Sequence, residues 1–239
     1  MNKTTCTPHP YVTARDSMNN TPLLYAGRKL LREGAFREAV FLCELLIQAG
    51  SDVNVSNCES RTLLSYSVQY LDDSIELSRL LINAGAEVWP TEDVKVSRSD
   101  VENVYKENHV FNKDKHVEVY TEKNSVFTWF LRTIIRSCKL DCHAQETLTL
   151  LCEVMSENPT RMHSHVMRTM FRNAKCYKIL GPVFYQLKSL MMPYWTQPRD
   201  LKFLCRQKVR HLMPPSRIKV HGLTQLGLPK KMVNYLLLE

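Results

Sequence analysis

Two short stretches hold residues of the types that bind metal. "CKLDCH" (Cys138 to His143) and "HSH" (His163 to His165) offer thiol and imidazole, the donors of a zinc site. A structural zinc site needs a second pair at finger spacing, and none follows, so these residues read as buried or solvated side chains with no metal. Other chemistries also lack a frame: there is no GxSxG elbow, HExxH, P-loop or GxGxxG. No acidic pair stands apart from ordinary helix charge. The expectation is a binding protein with no catalytic residue and no cofactor.

The elements around these residues are helical in pattern. With 239 residues, 44% of them hydrophobic, and few Gly and Pro, the chain suits one large domain or two modest ones. No apolar run nears the roughly 18 residues of a membrane span. The first twenty residues are polar, without a signal-type apolar stretch, so an intracellular place, cytoplasmic or nuclear, is expected. Cys43, Cys152 and Cys205 fall inside apolar helical patterns and are expected to be small buried hydrophobes.

The net charge of +8 sits almost wholly at the end, since nine of the basic residues but only two acidic ones lie in 199–239. A basic tail suits nucleic acid or an acidic membrane surface. Here the charges alternate with apolar residues at helical spacing, which suits solvated faces of helices buried on their other side. Nucleic acid is therefore the weaker reading, and no membrane partner is expected.

A repeat runs through the first ninety residues. "TPLLYAGRKLL" (from Thr21) with "FLCELLIQAGSDVN" (from Phe41) is followed by "TLLSYSVQYL" (from Thr62) with "LSRLLINAGAEV" (from Leu77). The Leu-Leu-Ile-x-Ala-Gly core recurs 35 residues apart. Thr21 suits a helix N-cap, Pro22 its first turn, and Gly50 and Gly85 the left-handed residue that ends a helix. The pattern resembles the ankyrin repeat, with its period of about 33. The first unit is longer than that pattern, which points to an insertion in its inter-helix turn near "LLREGAFRE".

The expected fold is all-α: an ankyrin-type solenoid with degenerate repeats, then a helical C-terminal module. Residues 1–20 are a flexible N-terminus and 21–88 two repeats. Residues 89–123, charged and glycine-free, are an insertion with one short helix near Asp100 to Glu107. Residues 124–198 are a degenerate repeat plus capping helices, and 199–239 the module.

In that module Asp200 is a good N-cap, and Leu201, Cys205, Val209 and Leu212 form one stripe bordered by Leu204. Phe203 points the other way, and Lys202, Arg206, Lys208 and Arg210 cover most of the remaining surface. Pro214 and Pro215 stop the helix. Pro229 opens a second one, whose apolar face is Met232, Val233, Leu236 and Leu237, with Tyr235 alongside.

These residues resemble a SOCS box. The resemblance implies that Leu201, Leu204, Cys205 and Val209 bind elongin C, itself paired with elongin B. It implies that Leu226, Leu228, Pro229 and Tyr235 serve a cullin, cullin-5 first and cullin-2 as the alternative. Gly227 stands where the family's Leu-Pro-x-Pro segment has its first proline, and it loosens that segment. With ankyrin-type repeats, the chain is similar to ankyrin repeat and SOCS box proteins, the receptors that bring a protein substrate to a cullin–RING ligase. Two alternatives stand beside this: an ankyrin scaffold whose tail only caps the stack, and a nucleic-acid-associated protein.

Overall fold

The computed structural model describes residues 10–89, 125–137, 140, 142–172, 177–213, 223 and 227–238, all helix, turn or irregular chain with no strand among them. Most of the expected insertion, its helix near Asp100 to Glu107 included, lies outside the described residues, as do residues 1–9.

Helix α1 (Pro22–Glu33) starts as its residues dictate: Thr21 Oγ1 accepts from the Leu24 N–H and Pro22 fills the first position. It ends at Gly34, whose φ of 73° is left-handed. Only Gly34 and Ala35 separate it from α2 (Phe36–Gln48). The extra length of the first unit therefore lies in the two helices, and the expected insertion in their turn is absent.

The second unit repeats the scheme. Thr62 caps α3 (Leu63–Ser67), a 3-10 stretch (Val68–Ser74) follows with a non-helical Leu71, and α4 (Ile75–Asn83) completes the pair. The loops after α2 and α4 match bond for bond. Ser51 N–H donates to Leu46 and Ala86 N–H to Leu81, and Gly50 and Gly85 take φ of 95° and 93°. Asn54 joins the two loops, donating to the Gly85 carbonyl and accepting from the Glu87 N–H.

Helices α5 (Val126–Ser137) and α6 (Gln145–Met155) continue the order. First helices pack on first helices, α1 on α3 and α3 on α5; second helices do likewise, α2 on α4 and α4 on α6. Asp72 stitches the second pair to the third by accepting from the N–H groups of Glu146 and Thr147 at the start of α6. One core runs through all three pairs, with Leu24, Leu63, Leu77, Phe127, Phe130 and Leu151 fully buried. Close approach of α1 and α3 requires Gly27, where a Cβ would lie 2.7 Å from a Leu63 methyl.

Helix α7 (Pro159–Arg172) adds Met162, Val166 and Met170 to that core, and α8 (Tyr177–Met191) adds Leu187 and Met191. Trp89 packs beside His165 of α7. The chain before α1 is tied down too: Asp16 accepts from Met18 and Asn20, and the Met18 carbonyl accepts from the Cys58 N–H.

Candidate protein-docking site

After a single turn, α9 (Pro193–Thr196), comes α10 (Leu201–Leu212). Asp200 caps α10 as expected, its carboxylate accepting from the Phe203 N–H at 2.7 Å. The helix ends at Met213, whose ψ of 132° suits a residue before proline. A last helix, α11 (Lys230–Leu236), starts one residue beyond Pro229, which is its N-cap.

The two faces of α10 are reversed relative to an ordinary surface helix. Leu201 is 76% exposed, Leu212 68% and Leu204 48%, and Cys205 is exposed with them. The opposite face is buried although it holds arginines. Phe203 and Arg206 are only 8% and 7% exposed. Arg206 pairs with Glu153 of α6 at 3.2 Å and stacks on Phe203 and Tyr235. Arg210 donates to Asn83 of α4 at 2.8 Å and to the Leu236 carbonyl at 2.6 Å. Asn83 in turn donates to the Leu237 carbonyl, and Gln207 to that of Glu157. The arginines of this face need carboxylate and carbonyl partners, which the ends of α4, α6 and α11 supply. Burial lowers the pKa of Arg210 from its ordinary value, with the charge of Glu157 acting against it.

Three expectations change. Arg206 is buried and Arg210 half-buried, and both anchor the module to the stack. Cys205 is not a buried hydrophobe, because its stripe has no cover within the chain, whereas Cys43 and Cys152 are buried and pushed up to about 12 by desolvation. Met232 is exposed, so the apolar face of α11 is Val233, Leu236 and Leu237. These pack with Leu223, Leu228, Met213 and Val209 in a small core separate from that of the stack. Val209 is thus half-buried at the edge of the stripe.

The expected cullin segment is described in part. Leu226 lies outside the described residues. Leu228 packs on the small core, and Pro229 is exposed. Tyr235 lies half-buried at the joint between the two helices, its ring 4.2 Å from Lys202 Nζ and 4.6 Å from the Arg206 guanidinium. Gly227 has a φ of 66°, which a proline ring, held near −65°, cannot take. It therefore sets a turn, beyond removing stiffness.

No group of three or more metal-ligating side chains occurs among the described residues, which include His163 and His165. His165 is buried against Phe127 and Trp89 with Nε2 2.9 Å from Ser125 Oγ. Burial, then Arg168 and Arg161, lower its pKa to about 4. Cys138 lies outside the described residues.

A cap for the stack would bury its apolar face. Here a helix anchored through its polar face presents leucines and a cysteine to solvent, the arrangement of a module that docks on another protein. The family model described as SOCS box matches residues 197–237. Those residues form a SOCS box, which in general marks a substrate receptor that binds elongin B/C and a cullin within a ubiquitin ligase, an adaptor and not an enzyme. No curated protein and no solved structure matches the chain. No helix among the described residues is long and apolar enough to cross a membrane.

Residue types alone did not single out Phe203, Arg206, Arg210, Asn83 or Glu153. A signal existed: Phe203, Arg206 and Arg210 recur at helical spacing opposite the stripe, and a planar guanidinium is suited to buried pairs.

Proposed function

We propose that the chain is a non-catalytic substrate receptor of an elongin B/C–cullin ubiquitin ligase, whose ankyrin-type helix pairs hold a protein target. The reversed burial of α10 carries this reading: Leu201, Leu204 and Cys205, with Val209 at their edge, enter an apolar pocket of elongin C. Leu226, Leu228 and Pro229 contact the cullin, cullin-5 by resemblance, and Tyr235 braces the helix behind them. The turn at Gly227 makes cullin-2 the alternative to test. The ankyrin assignment is supported by the repeated Thr caps, by Gly50 and Gly85, and by the first-on-first stacking of pairs. Catalysis is then by proximity, the target's lysines being held near a charged E2 that other subunits carry. This takes place inside the cell.

The test is a pull-down from cell extract with the full chain and with a Leu201→Ala/Cys205→Ala variant, probed for elongins B and C, cullin-5 and cullin-2. Elongin retained by the first and lost by a still-folded variant supports the receptor, and the cullin recovered decides between the two. Loss of elongin from both would make the tail the cap of an ankyrin scaffold. Retention that fell steeply with salt would favour a charge-driven, nucleic-acid-type contact instead.

A further inference from the structure

On the first-helix side of the stack, the three pairs enclose an open pocket of about 280 Å³. Arg28 and Arg32 of α1, Arg61 ahead of α3 and Arg136 of α5 line it, with Tyr66 and Tyr70. None of the four arginines belongs to an ion pair among the described residues.

Two of them are held in place by aromatic rings. The Arg61 guanidinium is clasped between two rings, 3.6 Å from the centroid of Tyr66 and 4.0 Å from that of Trp129. Its Nε is buried without a hydrogen-bond partner. The Arg28 guanidinium lies 5.1 Å from the Tyr66 centroid as well. The Tyr66 hydroxyl is itself held, donating to Glu59 at 3.1 Å and accepting from Asn57 at 3.0 Å. Burial lowers the pKa of Arg61, and the charges of Arg28 and Arg132 push the same way against the pull of Tyr66 and Glu59. Four guanidinium groups thus line one open pocket with no ion-pair partner among the described residues, although Glu59 and Asp16 act on Arg61 and Arg28 from beyond it.

We propose that this pocket takes a phosphorylated side chain of the protein target. A phosphoryl group brings close to two negative charges and three acceptor oxygens, and so engages several guanidinium forks together. One carboxylate satisfies one fork. Clusters of arginine are a recurrent device for phosphorylated motifs, and pre-fixed guanidinium groups lose little freedom on binding. The pocket spans all three pairs, so it forms only when the stack is intact. The inference deepens the receptor reading and rests on it for the existence of a target, but its test uses no elongin.

The experiment measures fluorescence anisotropy of four labelled peptides on the full chain. They are identical except at one central residue: phosphotyrosine, phosphoserine, glutamate or tyrosine. At least one phosphorylated peptide is expected to bind about tenfold or more tightly than both unphosphorylated ones. Which of the two does so distinguishes the sources of the phosphate. An Arg32→Gln/Arg136→Gln variant, altered at two exposed pocket side chains, is expected to lose about tenfold in that affinity with an unchanged thermal melt. Equal binding of the glutamate peptide overturns the phosphate assignment. Absence of binding by both phosphopeptides, or binding indifferent to the variant, overturns the site. A single-stranded oligonucleotide that binds more tightly than any peptide, and depends on the same arginines, overturns it in favour of nucleic acid. Failure of elongin to bind while the phosphopeptide does would remove the receptor reading and leave the pocket.

Discussion

Leu201→Ala separates docking from packing. Leu201 is 76% exposed, so truncating it removes little that the isolated chain buries. Its unfolding free energy is expected to change by no more than about 0.5 kcal/mol. In a complex the same side chain is covered. Removing three carbons at about 0.8 kcal/mol each, scaled by the 76% that is open, gives about 2 kcal/mol at most, or roughly 5- to 30-fold weaker elongin binding. The assay pairs urea melts of the purified chain with calorimetric titration by elongin B/C. Phe203→Ala is the contrasting variant: Phe203 is 8% exposed and lies under the Arg199 and Arg206 guanidiniums, so its loss lowers stability by about 2–4 kcal/mol. A Leu201→Ala chain destabilised as loss of a buried leucine would make it, by about 2 kcal/mol or more, with elongin affinity unchanged, would refute a docking role for Leu201.

Three further expectations follow from the packing. His165, held near pKa 4 by burial when folded and near 6.5 when unfolded, takes up its proton first in the unfolded chain. Stability is then full above pH 6.5 and falls as pH drops toward 4, by about 3 kcal/mol at most; melts at pH 7 and 4.5 should show a loss that His165→Gln reduces. Gly27→Ala gains about 1 kcal/mol of helix propensity but forces a methyl against wholly buried Leu63, so a net loss of about 1–2 kcal/mol is expected, and a stabilised variant would show that α1 and α3 are less closely packed. Arg206→Ala orphans Glu153 and opens the joint with Tyr235. Because Glu153 is 31% exposed and part-solvated, the expected loss is about 2–3 kcal/mol by urea melt, less than for a fully buried pair.

Local chemistry made much of this protein legible. Thr21 with Pro22, Thr62, Asp200, Gly50 and Gly85 mark helix ends by short-range hydrogen bonding and backbone freedom, and each does so in the fold. The spacing of Leu201, Leu204 and Cys205 likewise fixed one face of one helix. Length was harder to read: the extra residues of the first unit look like a turn insertion, and only the continuous backbone shows them as added helix, because "LLREGAFRE" is compatible with either.

What the residues could not decide was which face of α10 the chain itself would cover. Phe203, Arg206 and Arg210 make a face that is costly to bury alone and acceptable only against groups that accept hydrogen bonds. Those groups are Asn83, Glu153 and the Leu236 carbonyl, two of them more than fifty residues distant in sequence. The same holds for the arginine pocket, whose walls come from three helix pairs. Periodicity is a property of neighbours along the chain and survives in the sequence; the partner of a face is set by long-range packing, and that required the folded stack.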